Sequence, residues 1–286
     1  MDIEVTLVNS FTADGVGGNP AGVVFNADDL SDTEKLKIAQ EVGYSETAFV
    51  ASDNEVDFAV SFFTKTAEVD FCGHATLATF STMFQKGMVT AGSYMQRTKA
   101  GVLSVDIAAN GKVTMAQQLP QKLKQFSYQD ISKVIGIDQD ILASTQLPIE
   151  AISTGLLDVM IPVPLGYLDT IQPNDAVIAA FCQQHGVVGF HVFELCPPES
   201  RFTASCRNFA PLFDISEESA TGSSSGALAC YLSEHLALTN HYVFEQGRAM
   251  NCTSILTASV ETKDTTIVSV KVGGFANHIG DLTVSL

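Results

Sequence analysis

One acidic residue, Glu46, lies where a carboxyl group could transfer protons. It belongs to the segment 45–49 (SETAF), between the end of a predicted helix and an apolar run typical of a strand. A partly desolvated carboxyl holds a proton more readily, which suits general acid or base catalysis. The alternative interpretation of Glu46 is an exposed charge at the edge of a strand.

The triplet Cys72-Gly73-His74 combines a thiol with an imidazole, which suggests a metal site or a cysteine nucleophile activated by histidine. The other histidines show no spacing typical of metal ligands. We therefore expect no metal site and no other cofactor. Residues two apart at the start of a helix point in different directions, so we also expect that Cys72 does not face His74.

A serine-containing segment, 222–226 (GSSSG), matches the GxSxG pattern of hydrolase nucleophile elbows, with Ser224 as the nucleophile. That motif requires an apolar strand directly before it, whereas the preceding residues 217–221 (EESAT) are mostly polar. A serine hydrolase acting through Ser224 is therefore a disfavoured alternative. The glycine-rich segment 15–20 lacks the third glycine of a dinucleotide fingerprint and the lysine of a phosphate loop.

Two segments of small and apolar residues, 73–86 and 221–232, contain no charged residue apart from Lys86 and are predicted to be helices. A helix without a polar face must be buried. A glycine lies at or next to the start of each segment, Gly73 and Gly222, and the first turn of a helix leaves backbone N–H groups free to bind an anion. The alternative is that these glycines only allow close packing against a sheet.

The remaining segments predict short strands around these two helices. Strands are expected near 4–9, 21–25, 47–52, 58–63, 93–119, 150–163 and 188–196. Ser31 and Glu34 form a capping box for a helix that ends near Val42. Gly87 is placed to end the first buried helix, and the segment 120–126 is predicted to be a linker.

The second half of the chain loosely repeats the first. Residues 75–78 (ATLA) align with residues 226–229 (GALA), which sets Cys72 opposite Ser223. This similarity predicts an internal duplication with one buried helix in each half. Strands at short spacing around such helices predict an antiparallel α+β architecture.

Composition limits the class of protein. Of 286 residues, 46% are hydrophobic and 16% are charged, which is enough apolar material for two folded domains. The net charge of −17 opposes binding to nucleic acid or an anionic membrane. No apolar run is long enough for a bilayer. Six scattered cysteines and the absence of a secretory signal at the start predict free thiols in the cytoplasm.

Six short segments together resemble the phenazine-biosynthesis PhzF-like family in order and spacing. They are residues 11–12 (FT), 18–21 (GNPA), 45–49 (SETAF), 72–76 (CGHAT), 207–211 (RNFAP) and 221–223 (TGS). Their joint occurrence across nearly the whole chain is highly specific.

This resemblance implies the fold of diaminopimelate epimerase. That fold is α+β, with two similar domains, each a strongly curved antiparallel sheet or barrel around a central helix. Residues 1–119 are expected to form the first domain, with a C-terminal strand near 275–286 as a possible addition, and residues 127–274 the second. The resemblance also implies an active site in the cleft between the domains. A homodimer is a possible assembly.

The resemblance further implies roles for single residues. Glu46 would be the acid/base that transfers the proton, with His74 and Glu218 as further catalytic residues. The substrate-binding residues would be Asn19, Gly73, Gly222 and Ser223.

Three positions depart from the pattern of the family. Glu218 stands where the family usually has aspartate, Lys65 stands where it usually has proline, and residues 251–253 replace a glycine-arginine-proline segment. The substrate preference is therefore expected to differ from that of other members, while Glu218 would supply a carboxylate one methylene longer than the usual aspartate.

The reaction follows from a comparison with diaminopimelate epimerase, which uses one cysteine from each domain. In this chain Ser223 would stand opposite Cys72, and an unactivated serine hydroxyl is too weak an acid to replace a thiol. One carboxyl that moves a proton on a single face of a small carboxylated substrate is then expected. This is the chemistry of a cofactor-independent isomerase. A catalytically inactive protein that binds small molecules is the alternative.

Overall fold

The structure is a computed structural model that describes all residues, Met1–Leu286. The helices are α1 (Asp32–Val42), α2 (Gly73–Gln85), α3 (Tyr128–Ile135), α4 (Gln139–Ala143), α5 (Asp175–His185) and α6 (Gly222–His235). The strands are β1 (Asp2–Ser10), β2 (Asn19–Val24), β3 (Thr47–Ala51), β4 (Phe58–Phe63), β5 (Glu68–Val69), β6 (Gly92–Thr98), β7 (Gly101–Ile107), β8 (Val113–Ala116), β9 (Gln121–Phe126), β10 (Ile149–Ser153), β11 (Leu157–Val163), β12 (Gly189–Leu195), β13 (Ala204–Ala210), β14 (Ile215–Glu218), β15 (His241–Gln246), β16 (Ser254–Lys263), β17 (Thr266–Gly274) and β18 (Ala276–Ser285).

The chain divides into two compact units. The first unit contains Met1–Ala116 and Gly273–Leu286, and the second contains Gln117–Val272. In the first unit, β1 pairs antiparallel with β18 and β2, β2 pairs parallel with β3, and β3 pairs antiparallel with β4. From there β4 pairs parallel with β6, and β6, β7 and β8 continue antiparallel.

The second unit repeats this order of pairing. Antiparallel β9, β10 and β11 lead to a parallel pair of β11 with β12, and antiparallel β12 and β13 lead to a parallel pair of β13 with β15. The internal duplication predicted from the sequence is therefore visible in the topology.

The predicted α+β class is confirmed, but the sheets are mixed instead of purely antiparallel. Each unit contains two parallel pairs, and each of these pairs is connected through a helix: α1 and α2 in the first unit, α5 and α6 in the second. The physical reason is that parallel neighbours need a crossover long enough to return the chain to the same end of the sheet.

Each unit has one helix that is buried almost all round, as predicted. Every residue of α2 from His74 to Met83 is buried, and so are most residues of α6. The polar side chains of α2 are satisfied within the helix, because the hydroxyls of Thr76, Thr79 and Thr82 donate to the carbonyls four residues earlier at 2.7–2.8 Å. This helix therefore lies inside its sheet without unpaired hydroxyls.

Several local predictions can be compared with the structure. The capping box of α1 is present: the side chain of Ser31 accepts from the backbone N–H of Glu34, and the backbone of Ser31 donates to the Glu34 carboxylate. The linker predicted at 120–126 was wrong, because β9 pairs with β10 there. Its alternating lysines lie on an exposed strand, which made the segment look like a linker. No helix is long and apolar enough to cross a membrane.

Candidate active site

The backbone around Glu46 is fixed by elements on both sides. Helix α1 ends at Gly43, which adopts a left-handed conformation with φ of 76°, and β3 starts directly after Glu46. The backbone N–H of Gly22, in β2, donates to the carbonyl of Glu46 at 3.2 Å. The carboxyl therefore projects from a short, well-held connection, and 17% of the side chain remains exposed.

His74 is the second residue of α2 and is held from several directions. The hydroxyl of Ser10, at the end of β1, donates to its carbonyl at 2.6 Å. The side-chain amide of Asn19, at the start of β2, lies 3.4 Å from the ring nitrogen Nδ1. Only 6% of the side chain is exposed, so the ring has a fixed position beside the Glu46 segment.

The carboxyl of Glu46 and the ring of His74 meet. Glu46 Oε2 lies 3.3 Å from His74 Nε2, and Ser45 Oγ lies 3.4 Å from the same nitrogen. Although Glu46 Oε2 is buried and lies this close to the ring, it accepts no hydrogen bond. A lone pair of this oxygen is consequently available to another partner.

The ring of His74 is neutral at neutral pH. Burial lowers its pKa below the usual value of 6.5, and the negative charge of Glu46 opposes this effect only in part. If the amide of Asn19 donates to Nδ1, the proton of the neutral ring resides on Nε2, the nitrogen that faces Glu46 and Ser45. In that tautomer His74 is a neutral hydrogen-bond donor through Nε2.

Cys72 lies closer to His74 than the sequence predicts. Its Sγ is 3.4 Å from Nδ1 and 3.9 Å from Nε2 of the His74 ring. The expectation that the two side chains do not face each other was wrong. Cys72 is the N-cap residue and has an extended backbone with φ of −141° and ψ of 114°, so the i, i+2 geometry of a helix does not apply to it.

Glu46, Cys72 and His74 form one cluster in which the ligand-type atoms lie within 4.8 Å of one another. The spacing of the histidines does not indicate this cluster, because Glu46 comes from a separate segment of the chain. Apart from the SETAF and CGHAT motifs themselves, nothing in the sequence indicates that Glu46 contacts Cys72 and His74.

The start of α2 has no side-chain cap. The side chain of Cys72 makes no capping hydrogen bond, and the first N–H groups of a helix have no partner within the helix. Gly73 presents no side chain that could cover them. In the first unit, the structure therefore brings Asn19, Glu46, Gly73 and His74 together, four of the seven predicted site residues.

The other three predicted site residues lie in the second unit around the start of α6. Gly222 is its first residue, and the carbonyl of Ser223 accepts a hydrogen bond from Thr154 Oγ1 at 2.9 Å. The carboxylate of Glu218 accepts a hydrogen bond from the hydroxyl of Thr221. Gln246 donates to the carbonyl of Glu218 at 2.7 Å and thereby ties the residues before α6 to β15.

The neighbouring acid, Glu217, has a different environment. Arg207 donates from Nε and one terminal nitrogen to its two carboxylate oxygens at 2.8 and 2.7 Å. This bidentate pair fixes β14 to β13, so the two adjacent glutamates separate into one ion-paired residue and one residue at the helix start.

The alignment that set Cys72 opposite Ser223 was wrong, as the starts of α2 and α6 show. Both helices begin with glycine, and their N-cap residues have similar extended backbones: φ/ψ of −141°/114° at Cys72 and −125°/99° at Thr221. Thr221, not Ser223, is thus equivalent to Cys72, and Ser223 is equivalent to His74. The alignment of small apolar residues was shifted because such residues recur within a buried helix. Threonine, like serine, supplies no thiol.

Ser224 has the environment of a core residue. It is completely buried, donates its hydroxyl to Asp158 and accepts a hydrogen bond from Asn208 Nδ2 at 3.2 Å. Asn208 Nδ2 also lies 3.3 Å from Nδ1 of the buried His191. A hydrolase nucleophile must reach its substrate from an exposed turn, so this position does not support the serine hydrolase alternative.

Comparisons with known proteins agree with this fold. A hydroxyproline epimerase of Agrobacterium vitis has a similar structure, with a TM-score of 0.64, 12% identity and coverage of 100% of this chain and 93% of that chain. A PhzF-family phenazine biosynthesis protein of Bacillus anthracis matches with a TM-score of 0.91, 28% identity and full coverage of both chains. The diaminopimelate epimerase-like fold is thereby confirmed.

The family follows from sequence comparison. The model of the phenazine biosynthesis-like proteins, PhzC-PhzF, matches residues 8–280, and the chain belongs to this family. An uncharacterized isomerase of Clostridium acetobutylicum is 34% identical, over 94% of this chain and 93% of its own. The trans-2,3-dihydro-3-hydroxyanthranilate isomerase of Pseudomonas chlororaphis is 27% identical, over 98% of both chains.

Proposed function

We propose that this protein is a cofactor-independent isomerase in which Glu46 moves a proton within a small carboxylated substrate. The observation that carries the proposal is the buried oxygen Oε2 of Glu46, which accepts no hydrogen bond although it lies beside His74. A carboxylate oxygen held in place without a hydrogen bond is prepared to accept a proton from a substrate carbon. The isomerase names of the curated relatives support this class of reaction.

The proposed reaction needs no electron acceptor. The carboxylate of Glu46 removes a proton from a carbon next to an activating group, and the electron pair of the C–H bond moves into the conjugated system of the substrate. The resulting carboxylic acid returns the proton to another atom on the same face. A double bond has then changed position, and the side chain has returned to its starting state.

His74 would assist as a neutral hydrogen-bond donor. Its lowered pKa keeps the ring uncharged, so it does not form a permanent ion pair that would hold Glu46 in its ionised form. A neutral Nε2–H can position the carboxyl or polarise a substrate carbonyl. Asn19 would hold the ring in this tautomer through Nδ1.

The start of α2 would bind the carboxylate of the substrate. Free N–H groups and the helix dipole favour an anion there, by about 0.3–1 kcal/mol for an exposed helix end. The net charge of −17 does not prevent this, because charges farther than about 8 Å are largely screened at physiological ionic strength. Gly222, Ser223 and Glu218 of the second unit remain proposed contributors to substrate binding and proton transfer.

Hydrogen exchange tests this proposal without knowledge of the product. The protein would be incubated in heavy water with a panel of small carboxylated dienes and enolisable acids, and deuterium incorporation would be measured by mass spectrometry. We expect Glu46→Gln to lose exchange by about 10²–10⁴-fold, the usual contribution of a general acid/base, while retaining its melting temperature.

A matched control is Glu41→Gln, which removes an exposed carboxylate of the preceding helix and should exchange at the wild-type rate. Exchange that persists in Glu46→Gln would contradict the role of Glu46. Compounds that bind measurably but show no exchange with the wild-type protein would favour an inactive binding protein.

A further inference from the structure

We propose that Glu46, Cys72 and His74 form a binding site for a thiophilic divalent cation, Zn²⁺, that occupies the groups assigned to proton transfer. One thiol, one imidazole and one carboxylate lie with their ligand-type atoms within 4.8 Å of one another. All three are typical zinc ligands, and three protein ligands with one open position are the usual arrangement of an accessible zinc site.

One distance within the cluster matches tetrahedral coordination, and a second is somewhat longer. With usual metal–ligand bond lengths, two ligand atoms around zinc lie about 3.3 Å apart for nitrogen and oxygen and about 3.5 Å apart for nitrogen and sulfur. In the protein, His74 Nε2 lies 3.3 Å from Glu46 Oε2 and 3.9 Å from Cys72 Sγ. Because Cys72 Sγ now lies nearer to Nδ1, at 3.4 Å, than to Nε2, the Cys72 side chain must rotate toward Nε2 to complete the arrangement.

The surroundings supply what a metal site needs beyond its ligands. Glu46 Oε2 is buried without a hydrogen bond, so coordination would satisfy an atom that now lacks a partner. Zinc on Nε2 requires the ring proton to move to Nδ1, where the side-chain amide of Asn19, 3.4 Å away, can accept a hydrogen bond through its oxygen after a flip of the amide. Cys72 caps a helix N-terminus, where a thiolate is stabilised.

Charge balance favours a divalent ion. When zinc binds, the thiol of Cys72 loses its proton to solvent, and the thiolate and the carboxylate of Glu46 together carry two negative charges. With a neutral imidazole the occupied site has no net charge, which removes the cost of placing isolated charges in a largely buried position. No oxidation or reduction is involved.

Inhibition of the isomerase activity by zinc is a consequence of this site, and it rests on the proposed function. If Glu46 must accept a proton, an oxygen bound to zinc cannot do so, and one equivalent of zinc should stop exchange until a chelator is added. Exchange that becomes faster with zinc would overturn this consequence and would indicate an activating metal.

The site itself is tested without substrate. Chelator-treated full-length protein would be titrated with Co²⁺, followed by absorption of the thiolate-to-metal charge-transfer band, and then with Zn²⁺ by calorimetry. We expect one equivalent to bind, loss of the charge-transfer band in Cys72→Ser, and zinc affinity at least tenfold weaker in Cys72→Ser and Glu46→Gln. Cys252→Ser, which removes another partly exposed thiol, should behave like the wild type.

A charge-transfer band that persists in Cys72→Ser, or the absence of stoichiometric binding by the wild type, would refute the site. Because these measurements need no substrate, their failure is separate from a failure of the isomerase proposal. If all three variants remain folded, as their melting temperatures would report, a loss of binding cannot be attributed to unfolding.

Discussion

Glu46 Oε2 lies 3.3 Å from His74 Nε2, yet it accepts no hydrogen bond from this nitrogen. The carboxylate is close enough for its charge to raise the pKa of the ring, while the oxygen keeps a lone pair for another partner. An acid/base beside a neutral histidine, in a site closed to most solvent, is an arrangement suited to proton transfer.

The first prediction concerns the titration of His74. Burial lowers its pKa below 6.5, and the charge of Glu46 raises it, so Glu46→Gln should lower the pKa of His74 further. Ring chemical shifts in NMR spectra recorded across pH would measure this change. Glu41→Gln is the control and should leave the titration unchanged; an upward shift in Glu46→Gln would show that the two side chains are not coupled as described.

The second prediction concerns Gly18, which precedes Asn19. At Gly18, with φ of 90°, an added Cβ would lie 2.5 Å from the carbonyl oxygen of Ser10, whereas at Gly15, with φ of 84°, it would meet no atom within 4 Å. Gly15→Ala should therefore cost about 1–2 kcal/mol for its left-handed backbone. Gly18→Ala should cost at least about 2 kcal/mol more because of the clash.

Urea denaturation would compare these two variants. Gly18→Ala should also reduce exchange activity, because displacement of Ser10 moves a residue whose hydroxyl holds the carbonyl of His74. Equal destabilisation of the two variants would mean that the backbone around Gly18 moves to accommodate the new methyl group without a clash.

The third prediction concerns His191 in the core of the second unit. Burial lowers its pKa to about 3, so the folded protein holds the ring neutral while the unfolded chain binds a proton near pH 6.5. The corresponding stability is complete above pH 6.5 and is lost as the pH falls toward 3, by at most about 1.4 kcal/mol per pH unit. In His191→Gln, the free energy of unfolding should decline less steeply between pH 6.5 and 4.

The fourth prediction concerns Asp158, in the same hydrogen-bond network, and has the opposite sign. Burial raises the pKa of this carboxyl above its usual value of 3.8, although a hydrogen bond from Ser224 opposes the effect. The folded state then retains a proton that the unfolded chain releases, so stability falls as the pH rises above about 4. The difference in unfolding free energy between Asp158→Asn and the wild type should increase with pH, as measured by chemical denaturation. A difference independent of pH would mean that Asp158 is not desolvated.

The sequence determined much of the fold and the identity of the acid/base candidate. The lack of charged residues in two segments of small and apolar residues predicted the buried helices α2 and α6. A helix without a polar face is stable only when it is buried. Ser31 and Glu34 fixed the start of α1 through local hydrogen bonds. The SETAF and CGHAT segments pointed to Glu46 and His74 through their resemblance to the PhzF-like family.

Only the tertiary structure decided which of these residues meet. The contact of Glu46 with His74, and the position of Cys72 beside both, depend on β1, β2 and the start of α2 being held together. The equivalence of Cys72 with Thr221, and the pairing of β9 with β10, likewise depend on register between distant segments. Local periodicity specifies which face of an element is apolar, but contacts between segments follow from strand pairing and packing, which no local pattern encodes.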